Sequence, residues 1–158
     1  MTDWLVSDSL APSTDGALAP LYEAAGRGEL AVPFCGTCST PLELEQLRCD
    51  ICGSAAATWR VVERRGTVHS VTTVHRREPG LIVAVVPYHV IDVELVSGHR
   101  LLMTTSAPID RSPAIGEPAE ITFRRVAGRA IPALAVSTLP VSNSPISIPP
   151  VSNVEASS

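Results

Sequence analysis

The sequence contains no lysine, so all 12 of its basic residues are arginine, and they are set against 16 acidic residues. The formal net charge of −4 argues against a cationic protein that wraps nucleic acid. The charge is uneven, because residues 1–59 carry a net −6 and residues 60–129 a net +3. Lysine-free composition is typical of GC-rich coding, and it also favours planar, bidentate contacts to phosphate or carboxylate from the second half of the chain.

Aromatic residues make up only 4% of the chain, and Tyr88 and Phe123 are the two within residues 60–139. Single-stranded nucleic-acid binders stack bases on aromatic rings, so this scarcity weakens that class of function, which stays as the alternative hypothesis. Long hydrophobic runs are also missing. The most apolar stretch, Leu81–Val86, ends at Pro87 and is predicted to be a strand, since a membrane-spanning helix needs about 20 residues.

The N-terminus has no basic segment followed by an apolar one, so we expect no secretory signal and a cytoplasmic protein. The 158 residues suffice for one compact core with an appendage. Four segments are predicted, namely an N-terminal arm and helix (1–29), a metal ribbon (30–58), a barrel (59–139) and an extended tail (140–158). The tail has four prolines and six serines, and docking and disorder both stay open for it.

Apolar residues at helical spacing predict a short amphipathic helix from Ala17 to Glu29, after a polar, turn-prone arm at 1–16. Beyond Trp59 the sequence becomes rich in β-branched residues and alternating patterns. Strands are predicted at 67–74, 81–95 (one long interrupted strand), 100–105, 120–124 and 131–136. Five short antiparallel strands predict a mainly β fold with a five-stranded OB-fold barrel, and a β-sandwich is the alternative.

The four cysteines form the pattern C-x2-C-x10-C-x2-C, with Cys35, Cys38, Cys49 and Cys52 as its members. Two cysteines three apart on a tight turn point their sulfurs at one locus, so two such knuckles offer four thiolates to one ion. Four sulfurs leave no open coordination position, which predicts a structural Zn²⁺ in a rubredoxin-like ribbon. Iron is the competing metal and disulfides are the non-metal alternative.

The order of these features resembles a known family. Gly28-Glu29-Leu30 leads into the first knuckle, and Trp59 follows the second. The barrel motifs are Gly66-Thr67-Val68-His69-Ser70, Pro87-Tyr88, Ile115-Gly116-Glu117 and Ile121-Thr122-Phe123. Over residues 17–137 the chain resembles the zinc-ribbon and OB-fold proteins associated with acyl-CoA enzymes, catalogued as domain of unknown function 35. It departs from them at Leu21-Tyr22, where Phe-Trp is common, and after Pro41, where arginine is usual.

The resemblance implies a non-catalytic accessory subunit that forms a hetero-oligomer with a thiolase-like protein in lipid or steroid metabolism. Such partners condense acyl-CoA, cleave steroid side-chain CoA thioesters by retro-aldol chemistry, or transfer acyl groups. The sequence itself contains no complete nucleophile, acid and base set, which argues against an independent enzyme. The predicted helix and the barrel face that bears Tyr88 are the stretches expected to touch the partner.

Candidate contacts to a shared CoA thioester are three arginine doublets near strand ends, together with one pair of polar rings at the start of a strand. The doublets are predicted to converge on CoA phosphates at a barrel rim, and solvated or partner-facing arginines are the plainer interpretation. His69 and His75 are read as ordinary strand or surface residues. The candidates are Arg64, Arg65, Arg76, Arg77, Tyr88, His89, Arg124 and Arg125.

Overall fold

A computed structural model describes residues 2–136, so the tail predicted at 140–158 lies outside the described residues. Helix α1 is preceded by a short 3₁₀ turn at Asp8–Leu10. The remaining elements, in chain order, are α1 (Ala19–Gly26), β1 (Leu30–Cys35), β2 (Ala57–Val62), β3 (Arg65–Val74), β4 (Tyr88–Leu95), β5 (Arg100–Met103), β6 (Pro118–Val126) and β7 (Arg129–Leu134). In this part of the chain no helix is long and apolar enough to cross a membrane.

Strands β3 to β7 form an antiparallel sheet in the order β5-β4-β3-β6-β7. The sheet curls until its two edges meet, because a parallel bridge joins Thr105 to Leu134. The Leu134 N–H donates to the Thr104 carbonyl (2.9 Å), and the Ser106 N–H donates to the Leu134 carbonyl (2.8 Å). The result is a nearly closed five-stranded barrel, which confirms the predicted mainly β, OB-fold architecture.

The barrel interior is filled by the alternate residues of its strands. In β4 the buried positions alternate from His89 to Leu95, because successive side chains of a strand point to opposite faces. Ile91 and Val93 of this strand, with Val68 and Ile121 of neighbouring strands, lie in one core cluster. Leu21 of α1 joins the same cluster, so the helix packs its apolar face on the barrel.

The ribbon (residues 30–58 and the rest of β2) is a two-stranded sheet, in which Leu30 pairs with Val62 and Cys35 with Ala57. The predicted boundary at residue 58 falls inside β2. Leu30, Val32 and the half-buried Trp59 pack against the barrel core, as the sequence predicted for Trp59. Ribbon and barrel therefore share one apolar core.

His99 connects the ribbon to the barrel through a contact that no sequence pattern indicates. This buried ring lies at the β4–β5 connection, and its Nε2–H donates to the Pro33 carbonyl of β1 at 2.7 Å. Its Nδ1 accepts from the Ser97 hydroxyl at 3.0 Å, and the Phe34 ring meets it edge-on, with centroids 4.8 Å apart. A contact between residues 66 apart in sequence has no local pattern that would predict it.

The strand predicted at Leu81–Val86 is wrong, since this segment is a loop with one isolated bridge, between Val6 and Ile82. We call residues 81–86 the apolar loop. A Pro79-Gly80 turn and Pro87 bracket it, and its main chain bonds to the N-terminal arm instead of to a barrel strand. The Ser7 N–H donates to the Leu81 carbonyl and the Val83 N–H to the Leu5 carbonyl, both at 2.8 Å.

Candidate functional site

The four cysteines meet at the end of the ribbon, and their sulfurs all lie within 4.8 Å of one another. The Cys35–Cys52 and Cys38–Cys49 sulfur distances are 3.5 Å, far longer than the roughly 2.05 Å of a disulfide. All four cysteines are free thiols. A tetrahedral ion with bonds of about 2.3 Å has ligand edges of nearly 4 Å, so the cluster can hold one metal ion.

Each knuckle closes with the same turn, although their sequences differ. The Ser39 N–H donates to the Cys35 carbonyl (2.9 Å), and the Gly53 N–H donates to the Cys49 carbonyl (2.8 Å). Both donors have left-handed backbone, with φ of 59° at Ser39 and 73° at Gly53. Serine at the first knuckle therefore adopts the conformation for which glycine is the usual residue.

The electrostatics of the cluster favour a cation. Hydrogen bonds from the hydroxyl and backbone N–H of Thr40 lower the pKa of the Cys38 thiol to about 6. The pKa of Cys52 is lowered by the Ser54 N–H, but the neighbouring thiols, Cys35 first, and burial outweigh it and raise the pKa to about 12. Four crowded sulfurs resist full ionisation on their own, and a bound cation relieves that resistance.

The structure does not bring the three arginine doublets together. Arg64 and Arg65 lie at the start of β3, whereas Arg76 and Arg77 follow its end, and 10 residues of strand span roughly 30 Å. The Arg64 guanidinium lies 5.7 Å above the Phe123 ring, and Arg65 pairs with Glu63. The Arg65 pKa is raised by its hydrogen bond to Glu63. The strand geometry therefore does not support the predicted convergence of the three doublets on a single barrel rim.

The other arginine doublets differ in their exposure. Arg76 lies 2.8 Å from Glu78 on the surface, next to the exposed Arg77. Arg125 donates to the Gly128 carbonyl at 2.9 Å. Arg124 is half-buried, with its side chain 10% exposed, and its guanidinium pairs with the carboxylate of Asp3 in the N-terminal arm. An internal ion pair does not leave Arg124 free to hold a phosphate, which corrects its predicted role at a rim.

Tyr88 and His89 begin β4 beside the apolar loop. Tyr88 is half-buried, and His89 is buried with its Nδ1 3.1 Å from the Thr73 hydroxyl. Among the described barrel residues, Tyr88 and Phe123 are the aromatic rings and both are half-buried. No open stacking platform for bases is therefore found on this part of the chain.

The apolar loop presents its side chains to solvent. Ala84 is buried, while the larger Leu81, Val83, Val85 and Val86 are exposed, Val85 at 71%. A patch of this kind on a small protein is typical of an interaction surface. The sequence contained a signal for this surface, namely an apolar run beside a proline. The run was predicted to be a strand instead.

Comparison with known proteins agrees with this architecture. Residues 59–124 match the model of the C-terminal OB-fold domain of ChsH2. A chain of the solved structure "Ltp2-ChsH2(DUF35) aldolase" is 25% identical, with a TM-score of 0.66, and the match covers 78% of this chain and 97% of that one. The chain is similar to DUF35 OB-fold proteins over its barrel and beyond it. No curated protein sequence matches it.

A second DUF35 structure shows the fold alone. It is a protein of unknown function from Sulfolobus solfataricus, 14% identical, with a TM-score of 0.52. The match covers 78% of this chain and 86% of that one. The DUF35 resemblance inferred from the knuckles and barrel motifs is thus confirmed.

Proposed function

We propose that this chain is a non-catalytic accessory subunit of a thiolase-like acyl-CoA enzyme, most closely an aldolase. The observation that carries the proposal is the match to a chain of the Ltp2-ChsH2(DUF35) aldolase, because it extends over 97% of that chain. The match also covers 78% of this chain, which is more than the barrel alone, so the likeness extends beyond a common barrel.

The chemistry of the described residues supports a non-catalytic role. The four cysteines form the metal cluster, in which we place a structural Zn²⁺. His89 and His99 are buried, and their rings are hydrogen-bonded within the protein. His69 lies on the surface, with its Nδ1 3.6 Å from the Glu94 carboxylate. The reacting groups of the complex therefore belong to the partner.

The apolar loop is the proposed contact with the thiolase-like partner. It is the exposed apolar segment next to Tyr88, on the barrel face that the sequence analysis assigned to the partner. Arg76 and Arg77 lie three residues before the loop and are exposed, so this doublet is the one placed to meet CoA phosphates at the joint. The arm holds the loop in place through Leu5, which is itself buried.

A matched pair of variants tests this surface. Val85 and Ile115 are both 71% exposed, but Ile115 lies in a different loop, before β6. Val85→Asp should abolish co-purification with a candidate thiolase-like partner, because it places a charge in an apolar interface. Ile115→Asp should leave co-purification unchanged. Equal capture by both variants would remove the apolar loop from the interface.

A further inference from the structure

Strand β2 has no second partner strand among the described residues. It pairs with β1 alone, whereas β1 is flanked on its far side by the chain around residues 40–42. There the Cys35 N–H donates to the Thr40 carbonyl (2.8 Å) and the Leu42 N–H to the Pro33 carbonyl (3.0 Å). The ribbon sheet is therefore open on the outer side of β2, which we call the open edge.

The register of the ribbon sheet shows which main-chain groups point to the open edge. The Gly36 N–H donates to the Ala56 carbonyl at 2.8 Å, so these two residues form a hydrogen-bonded pair. Hydrogen-bonded and non-hydrogen-bonded pairs alternate along antiparallel strands. Every second residue of β2 therefore bonds to β1, and the residues between them turn their N–H and C=O groups outward, namely Ala57, Trp59 and Val61. In the described chain these groups have no main-chain partner.

The open edge lacks the features that usually protect an edge strand from pairing, which are a charge, a proline or a bulge. β2 contains no proline, and its register with β1 is unbroken. Its one charged residue, Arg60, is turned across β1, where its guanidinium lies 4.8 Å above the Phe34 ring and donates to the Ser39 hydroxyl at 3.2 Å. Ala57 and Val61 are exposed, Val61 at 59%. Another strand can therefore reach the edge.

The side chains along β2 favour an identical strand as the partner. Antiparallel pairing with β2 of a second copy, about a twofold axis at Trp59, places the small Ala57 opposite the larger Val61 at both ends. Arg60 then faces a threonine, whereas an axis at Arg60 would set two arginines directly opposite each other, which is destabilising. Residues 53–56 are glycine, serine and two alanines, so they leave room for the partner strand as it continues.

We propose that two copies of this chain pair through their β2 strands and so join the two ribbon sheets into one four-stranded antiparallel sheet. The outward N–H and C=O groups of Ala57, Trp59 and Val61 all bond across the twofold axis. The interface is isologous, because each copy contributes the same strand. This pairing is a property of the chain alone, so it does not rest on the proposed function, and it does not involve the apolar loop.

Amide exchange tests the pairing directly, because the effect should alternate along β2. The N–H groups of Trp59 and Val61 are free in a monomer and hydrogen-bonded in the dimer, whereas those of Arg60 and Val62 bond to β1 in both. Raising the concentration of the full chain about a hundred-fold should populate the dimer. Exchange at Trp59 and Val61 should then slow at least about ten-fold, and exchange at Arg60 and Val62 should change little.

Two substitutions at one position separate pairing from folding. Val61→Pro removes the outward N–H and leaves the bonds to β1 in place, so it should make the chain monomeric. Val61→Thr retains the N–H and the branched shape, so it should dimerise like the wild type. Sedimentation of the three proteins gives the mass of each, and a protected Val62 amide shows that the ribbon of the proline variant is folded.

Three results would overturn the proposal. The first is a wild-type chain that stays monomeric at high concentration, with fast exchange at Trp59 and Val61. The second is a dimer that persists in Val61→Pro with a folded ribbon, since its interface would lie elsewhere. The third is protection of the two amides only after a thiolase-like partner is added, which would assign the open edge to a strand of that partner. If the proline variant does not fold, exchange in the wild type decides.

Discussion

Gly66 lies within β3, where a side chain has no room. A Cβ built there would sit 2.2 Å from the Glu94 carbonyl oxygen and 3.0 Å from the Leu95 Cα. From the sequence alone, Gly66 and Gly116 are both interpreted as turn residues that require freedom in φ. That interpretation holds for Gly116, whose φ is 85°. It is wrong for Gly66, where glycine is required because a neighbouring strand approaches too closely for a side chain.

Substitution of Gly66 should therefore damage the barrel. Gly66→Ala is expected to lower the free energy of unfolding by about 1–3 kcal/mol, because backbone and not a flexible side chain meets the new methyl group. Gly26→Ala at the end of α1 meets nothing within 4 Å and should be neutral or stabilising by up to about 1 kcal/mol. Urea unfolding of both variants checks this, and an unchanged Gly66→Ala midpoint would contradict it.

Asp92 of β4 faces Arg100 of β5 across the sheet, and its Oδ1 accepts from the Arg100 Nε at 2.9 Å. The hydrogen bond from Arg100 lowers the pKa of Asp92 below its usual 3.8. A lowered folded-state pKa contributes stability above the unfolded-state pKa of about 3.9, and this contribution disappears as the pH falls through the folded value.

The stability difference between wild type and Asp92→Asn should thus be constant from pH 7 to about 5 and should shrink below about pH 4. Unfolding in urea across this range measures it, and the acid sensitivity of the metal cluster cancels because both proteins have it. In an Arg100→Gln background the pH-dependent step should disappear. A difference that grows on acidification would have the opposite sign and refute the ion-pair assignment.

Among the structural elements, those with a regular local spacing of residues could be predicted from the sequence. The CxxC knuckles and the alternating strands β4 and β6 were found from sequence because spacing and period fix which side chains meet. The apolar loop was wrongly predicted to be a strand, since a short apolar run has the same sequence pattern whether the fold buries or exposes it. The contact that decides its structure, Val83 to Leu5, joins segments far apart in the chain.

We expect the stability of the ribbon to depend on a metal ion held by its four cysteines. Purified under reducing conditions, the protein should contain about one zinc ion per chain, and Cys38→Ser should lose it and expose residues 30–58 to amide exchange. Elemental analysis and hydrogen exchange check the two parts. Iron in place of zinc would correct the identity of the ion, and metal-free protein with a folded ribbon would contradict the site.

At the scale of the whole molecule, the order of helix, ribbon and barrel was predictable, but the contacts between them were not. His99 bonds to the ribbon, and Asp3 of the arm reaches Arg124 across 121 residues of sequence. Neither contact has a sequence signature. The second contact explains why Arg124, a candidate phosphate-binding residue, is paired inside the protein.

On the proposed function, this chain supports catalysis by a partner and performs none alone. The decisive measurement is turnover of an acyl-CoA thioester by the purified chain, by a candidate thiolase-like partner, and by their co-purified complex. The account predicts no turnover by the chain alone and at least ten-fold faster turnover, about 1.4 kcal/mol, by the complex than by the partner alone. Turnover by the chain alone, or a partner equally active without it, would contradict the account.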